Sequence, residues 1–184
     1  MNDFFENFKS EQSENKNLGV VKDHPVRIVR YEKSDSRANF DGTVKEREPK
    51  YADATPQLIC VFVSAEGKGG IVHRYNGAGY YKFAELTEKQ IQAANIINVD
   101  GYACVKKKEG YIRIEHPEKT KACRDILSNM FNAFGLPEGS GLPSLDIAIQ
   151  EQRIALLSTV AEEYNDRTQI KVQRLKKPAS YVIN

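Results

Sequence analysis

Apolar and polar positions along most of this chain follow the two-residue period of strands, and helical spacing is confined to two stretches. Val26-Arg27-Ile28-Val29-Arg30-Tyr31, following Pro25, predicts a first strand. Leu58-Ile59-Cys60-Val61-Phe62-Val63 is an unbroken apolar run, the mark of a central strand buried on both faces. The Gly-rich turn Ala65-Glu66-Gly67-Lys68-Gly69-Gly70 feeds Ile71-Val72-His73-Arg74-Tyr75, which predicts a hairpin. Thr87-Glu88-Lys89-Gln90 is a capping-box pattern, with Ile91, Ala94 and Ile97 on one helical face. Tyr102-Ala103-Cys104-Val105 and Tyr111-Ile112-Arg113-Ile114 flank Lys106-Lys107-Lys108-Glu109-Gly110, a second hairpin with a basic tip. Period two sets Ile112 and Ile114 on one face and Tyr111 and Arg113 on the other. Pro117 suits the start of a helix whose stripe is Ala122, Ile126, Met130, Phe131 and Phe134, stopped by Gly135 and Pro137. Residues 137–144 form a Gly/Pro/Ser linker, and a last hairpin covers 153–175.

This order predicts a mainly β protein with two helices. About five core strands, with a helix before the fourth, suit a five-stranded barrel of the oligonucleotide-binding (OB-fold) type, here with a β-hairpin/helix insertion. The expected organisation is a flexible N-terminal arm over 1–18, a single domain over 19–178 with an insertion at 76–116, and a tail over 179–184. Residues 32–55 read as a long charged loop with turn signals at Asp41-Gly42 and Glu48-Pro49, a length that usually marks function or disorder.

Composition adds limits rather than a function. The 184 residues are 40% hydrophobic, enough for a real core, and the net charge of +2 implies no strong global field. The charge is segregated, however. Residues 101–124 hold seven Lys/Arg against three Asp/Glu, residues 125–152 hold four acids and no cation, and 153–184 are basic again. Cys60, Cys104 and Cys123, odd in number and widely spaced, argue against a disulfide framework. Met1-Asn2-Asp3-Phe4-Phe5-Glu6 lacks the features of a signal peptide, and no run approaches the roughly 20 apolar residues of a membrane span. The expectation is a reduced, soluble protein of the cytoplasm.

The last third carries most of the chemistry. Glu162-Glu163-Tyr164-Asn165-Asp166-Arg167-Thr168 turns into Gln169-Ile170-Lys171-Val172-Gln173-Arg174-Leu175, and Lys176-Lys177-Pro178 follows. This brings an aromatic and four cations near one surface. Phe134-Gly135-Leu136, Glu163 to Thr168, Val172, Arg174, Leu175 and Pro178 together resemble a family of small phage proteins encoded in replication and recombination gene clusters. The resemblance covers about half of the chain. It implies an OB-fold protein that coats single-stranded DNA. Three features depart from the family pattern: Asp166 stands where Gly is usual, 76–116 is an insertion, and the residues after Lys176 are not acidic.

Sequence-independent binding of a single strand needs cations for phosphates and flat rings for bases. Three clusters offer both: Arg74 and Tyr75 with Tyr80, Tyr81 and Lys82; Lys106, Lys107 and Lys108 with Tyr111 and Arg113; and Tyr164, Arg167 and Lys171. By the OB-fold map, Arg37, Lys45 and Arg47 of the long loop, with Phe40 and Tyr51, flank the groove, and Arg74 lies near its floor. The expected function is non-catalytic coating of single-stranded DNA, with no cofactor and no metal. The expected partners are single-stranded DNA, other phage replication or recombination proteins, and further copies of the chain. Two other readings stand beside it. One is a phage inhibitor acting on a host protein. The other is a metal-dependent nuclease using Asp53, Glu66 and Lys68, although a flexible Gly-rich turn suits that chemistry poorly. The Gly67 to Gly70 and Gly77-Ala78-Gly79 stretches lack a P-loop pattern and read as turns. His24, His73 and His116 are isolated, without ligand spacing.

Overall fold

Five consecutive buried residues, Leu58 to Phe62, place their strand at the centre of a sheet. The computed structural model describes residues 17–35, 55–80, 95–99, 101–108 and 110–179, with the single positions 87, 89 and 92. Its strands are β1 (His24–Asp35), β2 (Pro56–Ser64), β3 (Gly70–Asn76), β4 (Ile96–Val99), β5 (Tyr102–Lys107), β6 (Gly110–Arg113), β7 (Ile154–Tyr164) and β8 (Arg167–Lys176). Two helices, α1 (Pro117–Ala133) and α2 (Ser144–Gln150), lie between β6 and β7 in the sequence. The strands form two antiparallel sheets, a five-stranded one ordered β3-β2-β1-β7-β8 and a three-stranded one ordered β4-β5-β6. Among the described residues no pairing joins β3 to β8, so the larger sheet is open.

The chain divides into two compact units. The first contains the described residues up to Glu32, Ile59–Arg74, and those from Ser128 on; the second contains the described residues of Lys33–Leu58 and Tyr75–Leu127. In the first unit the core is built from Val26, Ile28, Cys60, Phe62, Met130, Phe134, Leu145 and Leu157, all essentially fully buried. The rings of Phe62 and Phe134 stack in parallel with centroids 6.0 Å apart. Each side chain of this size contributes about 1.5–3 kcal/mol by leaving water.

The end of α1 follows from Gly135. At φ +68° it takes the left-handed conformation that terminates a helix, with Leu136 N–H donating to Phe131 O at 3.1 Å and Gly135 N–H to Asn132 O at 2.9 Å. Arg153 Nη1 donates to the Phe134 and Gly135 carbonyls at 3.3 and 2.8 Å, satisfying acceptors the helix leaves open. The buried stripe of α1 differs from the expected one. Ala122 and Ile126 are exposed, and the inward positions are Thr120, Cys123, Leu127, Met130, Phe131 and Phe134. Both stripes have helical spacing, and the observed one admits Thr120 because its hydroxyl donates to the Gly79 carbonyl (3.4 Å) and accepts from the Gly79 N–H (3.1 Å).

The second unit holds a three-stranded sheet, one strand more than the expected hairpin, and Lys89 and Gln92, the described positions after the capping-box threonine, are helical as expected. Ile97 belongs to β4, not to a helical face, because the segment from Ile96 to Val99, β-branched at three of its four positions, pairs residue for residue with Val105 to Tyr102. Gly101, at φ +80°, makes the connecting turn, and its N–H is held by Asn98 Oδ1 at 2.9 Å. The expected β5–β6 hairpin is present, with Val105 opposite Ile112 and Lys106 opposite Tyr111. Ile91, Ala94 and most of the capping-box stretch lie outside the described residues, as do the arm up to residue 16, residues 36–54 and residues 180–184.

Candidate nucleic-acid interface

β7 and β8 form a ribbon that outgrows the rest of the sheet. The β1 pairing engages β7 only over Ile154 to Leu157, whereas β8 accompanies β7 to its end at Tyr164. Every residue from Ala161 to Gln169 is exposed. The tip is a two-residue turn, Asn165-Asp166, with φ of +48° and +59°. Two successive left-handed residues give the turn whose twist matches a hairpin, and Asn and Asp tolerate that region better than other non-Gly residues.

The register decides what this ribbon presents. Leu157 opposite Leu175, Thr159 opposite Val172 and Ala161 opposite Ile170 share the core side. Leu156 opposite Lys176, Ser158 opposite Arg174, Val160 opposite Lys171 and Tyr164 opposite Arg167 share the other. Tyr164, Arg167, Lys171, Arg174 and Lys176 therefore line one face, over roughly 30 Å at about 3.3 Å per residue. A strict alternation from Lys171 would send Arg174 and Lys176 to the core side. They join the outer face because Gln173 is an extra residue: Thr159 faces Val172 while Ser158 faces Arg174. This β-bulge turns Leu175 inward and both cations outward in one step.

The face is basic but partly neutralised from within. Lys171 is ion-paired with Glu162, and Asp23 pairs with Arg174 at 3.3 Å and Lys176 at 2.8 Å. The hydrogen bond from Lys176, with Arg174 beside it, holds the Asp23 carboxyl below the usual carboxylate range. Arg167 forms no ion pair with another described residue. Tyr164 is 60% exposed, the largest aromatic surface among the described residues' exposed hydrophobics.

The other clusters are assembled differently. Tyr75 is 5% exposed, so its ring is core and unavailable to a base. Adjacent residues of a strand point to opposite faces, so Arg74, half-buried and already engaged, does not join Tyr75 in a cluster. In the second unit the Arg113 guanidinium lies 4.4 Å from the Tyr80 ring centroid and 5.5 Å from that of Tyr102, and donates to Thr55 Oγ1 at 3.3 Å. Arg113 and Tyr80 therefore spend their cation–π contact on each other and serve packing. Lys106 is exposed beside half-buried Tyr111, its cross-strand neighbour, and Lys108 is exposed at the turn. Arg37, Phe40, Lys45, Arg47, Tyr51, Tyr81, Lys82 and the Lys107 side chain lie outside the described residues, as does Asp53.

Glu66 and Lys68 pair with each other at 2.7 Å on an exposed turn, and Lys68 holds the Glu66 carboxyl below its ordinary range. His24 Nε2 is 2.8 Å from Ser64 Oγ, both buried, so this histidine is a satisfied core residue. Among the described residues no three His, Cys, Asp or Glu side chains gather as a metal site, and no helix is long and apolar enough to cross a membrane. No family model matches the chain, and no curated protein or solved structure matches it significantly.

Proposed function

We propose that this protein binds single-stranded DNA without sequence preference, as a strand-coating component of phage replication or recombination, and that the outer face of the β7–β8 ribbon is the contact surface. The observation that carries the reading is one exposed face holding Tyr164, Arg167, Lys171, Arg174 and Lys176. Spaced cations neutralise phosphates, and the exposed ring at the tip stacks on a base. The strand order supports an OB-type reading. A three-strand meander with a hairpin added beside its first strand is the order of such a barrel left open at one seam. In that fold the connection between the last two strands flanks the ligand, and here it is the turn between Tyr164 and Arg167.

The test is the salt dependence of oligo-dT binding by Arg167→Gln. Arg167 has no acid partner among the described residues, so its loss should flatten the log–log slope by about 0.7, the value for one phosphate contact on a single strand. Lys171→Gln should change it less, because Glu162 already shares that charge. Equal slopes for Arg167→Gln and the parent protein would remove the ribbon from the interface.

A further inference from the structure

The second cation pair of the ribbon is occupied by the protein itself. Asp23 Oδ1 accepts from Arg174 Nη2 and from Ser158 Oγ, both at 3.3 Å, and Oδ2 accepts from Lys176 Nζ at 2.8 Å. The Asp23 N–H in turn donates to Ser158 Oγ at 3.0 Å. An anionic group with two oxygens shared between an Arg and a Lys is also the way a phosphodiester is held. The backbone bends to deliver this carboxylate: Asp23 sits at φ +52° and Gly19 at φ +68°.

We propose that Arg174 and Lys176 form a phosphate subsite of the ribbon, and that Asp23 is its built-in competitor, displaced when a strand binds. The proposal rests on the single-strand reading above and adds where one phosphate sits and what opposes it. Three features make the exchange feasible. The segment before Asp23 is anchored independently of the carboxylate. Leu18 N–H donates to Gly70 O at 3.2 Å, Val21 N–H to Thr159 Oγ1 at 2.8 Å, Thr159 N–H to Val21 O at 2.9 Å, and Thr159 Oγ1 to Gly19 O at 2.7 Å. Opening therefore needs a side-chain rotation, not unfolding. Both pairs are solvent-exposed, with Arg174 and Lys176 about half accessible, so they are weak and screened by salt. One acid also faces two cations, so the subsite keeps a residual positive charge even when closed.

The exchange makes binding self-limiting. Weak or short polyanions meet a partly neutralised face, while a strand held at Arg167 and Tyr164 presents its phosphates at high local concentration and wins the competition.

Asp23→Asn is the test, because Asn keeps the size, the left-handed tolerance and the hydrogen bonds to Ser158 while removing the charge. Expected are tighter oligo-dT binding and a log–log salt slope steeper by about 0.7–1.4, one to two released cations. Thermal stabilisation by inorganic tripolyphosphate should also grow, and adding Arg174→Gln and Lys176→Gln to the Asp23→Asn variant should cancel both gains. A folded Asp23→Asn protein with the parent's slope and the parent's tripolyphosphate response overturns the subsite, and if the parent binds oligo-dT, the single-strand reading survives. A parent that fails to bind oligo-dT, with a gain in the tripolyphosphate response of the variant, sinks the single-strand reading and keeps the subsite. Should Asp23→Asn not fold, Asp23→Gly, which removes the carboxylate and suits the φ of +52°, decides by the same two readouts: a steeper slope with a larger tripolyphosphate response supports the subsite, and the parent's values in both refute it.

Discussion

Tyr164 and Tyr75 are both tyrosines of exposed-looking strand sequence, yet they should respond oppositely to truncation. Tyr164 is 60% exposed at the ribbon tip, opposite Arg167, whereas Tyr75 is 5% exposed. Tyr164→Ala removes a ring that buries little, so stability should move by no more than about 0.5 kcal/mol. If that ring stacks on a base, its loss should cost about 1–3 kcal/mol of binding. That is roughly a 5- to 150-fold rise in Kd. Tyr75→Ala instead opens a core cavity and should cost about 3–5 kcal/mol of stability. Against a domain stability of about 5–15 kcal/mol, this is a large fraction. Urea unfolding followed by circular dichroism gives the first quantity, and anisotropy titration of labelled oligo-dT at fixed salt gives the second. Tyr164→Phe, which keeps the ring, should bind within a few-fold of the parent. An unchanged Kd for Tyr164→Ala would refute stacking at the tip. A Tyr75→Ala protein of parental stability but weakened binding would refute the assignment of that ring to the core.

Three further outcomes follow from local geometry. Gly79→Ala would drive a Cβ into the Lys119 Cβ and to 2.9 Å from the Lys119 backbone carbonyl carbon, so the urea midpoint should fall by the equivalent of about 1–3 kcal/mol. Asp166→Gly relieves a left-handed non-Gly residue at φ +59° and removes an acid beside Arg167; a stability gain of about 0.5–1 kcal/mol should accompany tighter oligo-dT binding, and a loss of stability would contradict the turn assignment. Burial holds His73 down from 6.5 to about 4. The unfolded chain therefore binds the extra proton between these values, and stability should be full above pH 6.5 and fall as pH drops toward 4, by up to about 1.4 kcal/mol per pH unit at the steepest. A His73→Gln variant should lose that part of the pH dependence in urea titrations at about pH 4.5 and pH 7.

Much of the strand layout is legible in the residue pattern because it rests on local signals. The run from Leu58 to Val63 has no polar position to turn to water, which makes it central. Gly135 can take a left-handed φ where Asn132 and Phe131 need acceptors satisfied, which ends α1. The site is less legible. Gln173 gives no sign of a bulge, yet that single extra residue decides the face on which Arg174 and Lys176 appear. Asp23 precedes Arg174 by 151 positions, so their pairing depends on tertiary placement alone. Arg113 and Tyr80 read as members of two separate base-binding clusters, yet they pack on each other, because a cation and a ring suit each other as well as they suit a nucleotide. The separation of Arg74 from Tyr75 was available from strand periodicity, since neighbours on a strand cannot share a face.

The central claim, that the β7–β8 ribbon carries a strand-binding face, is met most directly by anisotropy titration of labelled poly-dT across a salt series with duplex DNA as competitor. Four cations with two internal acids predict tight binding at low salt and a slope between about −1.4 and −2.8 from the ribbon, with duplex competing poorly. Absence of binding at low salt, or duplex DNA competing as well as a single strand, would contradict it and turn attention to a protein partner.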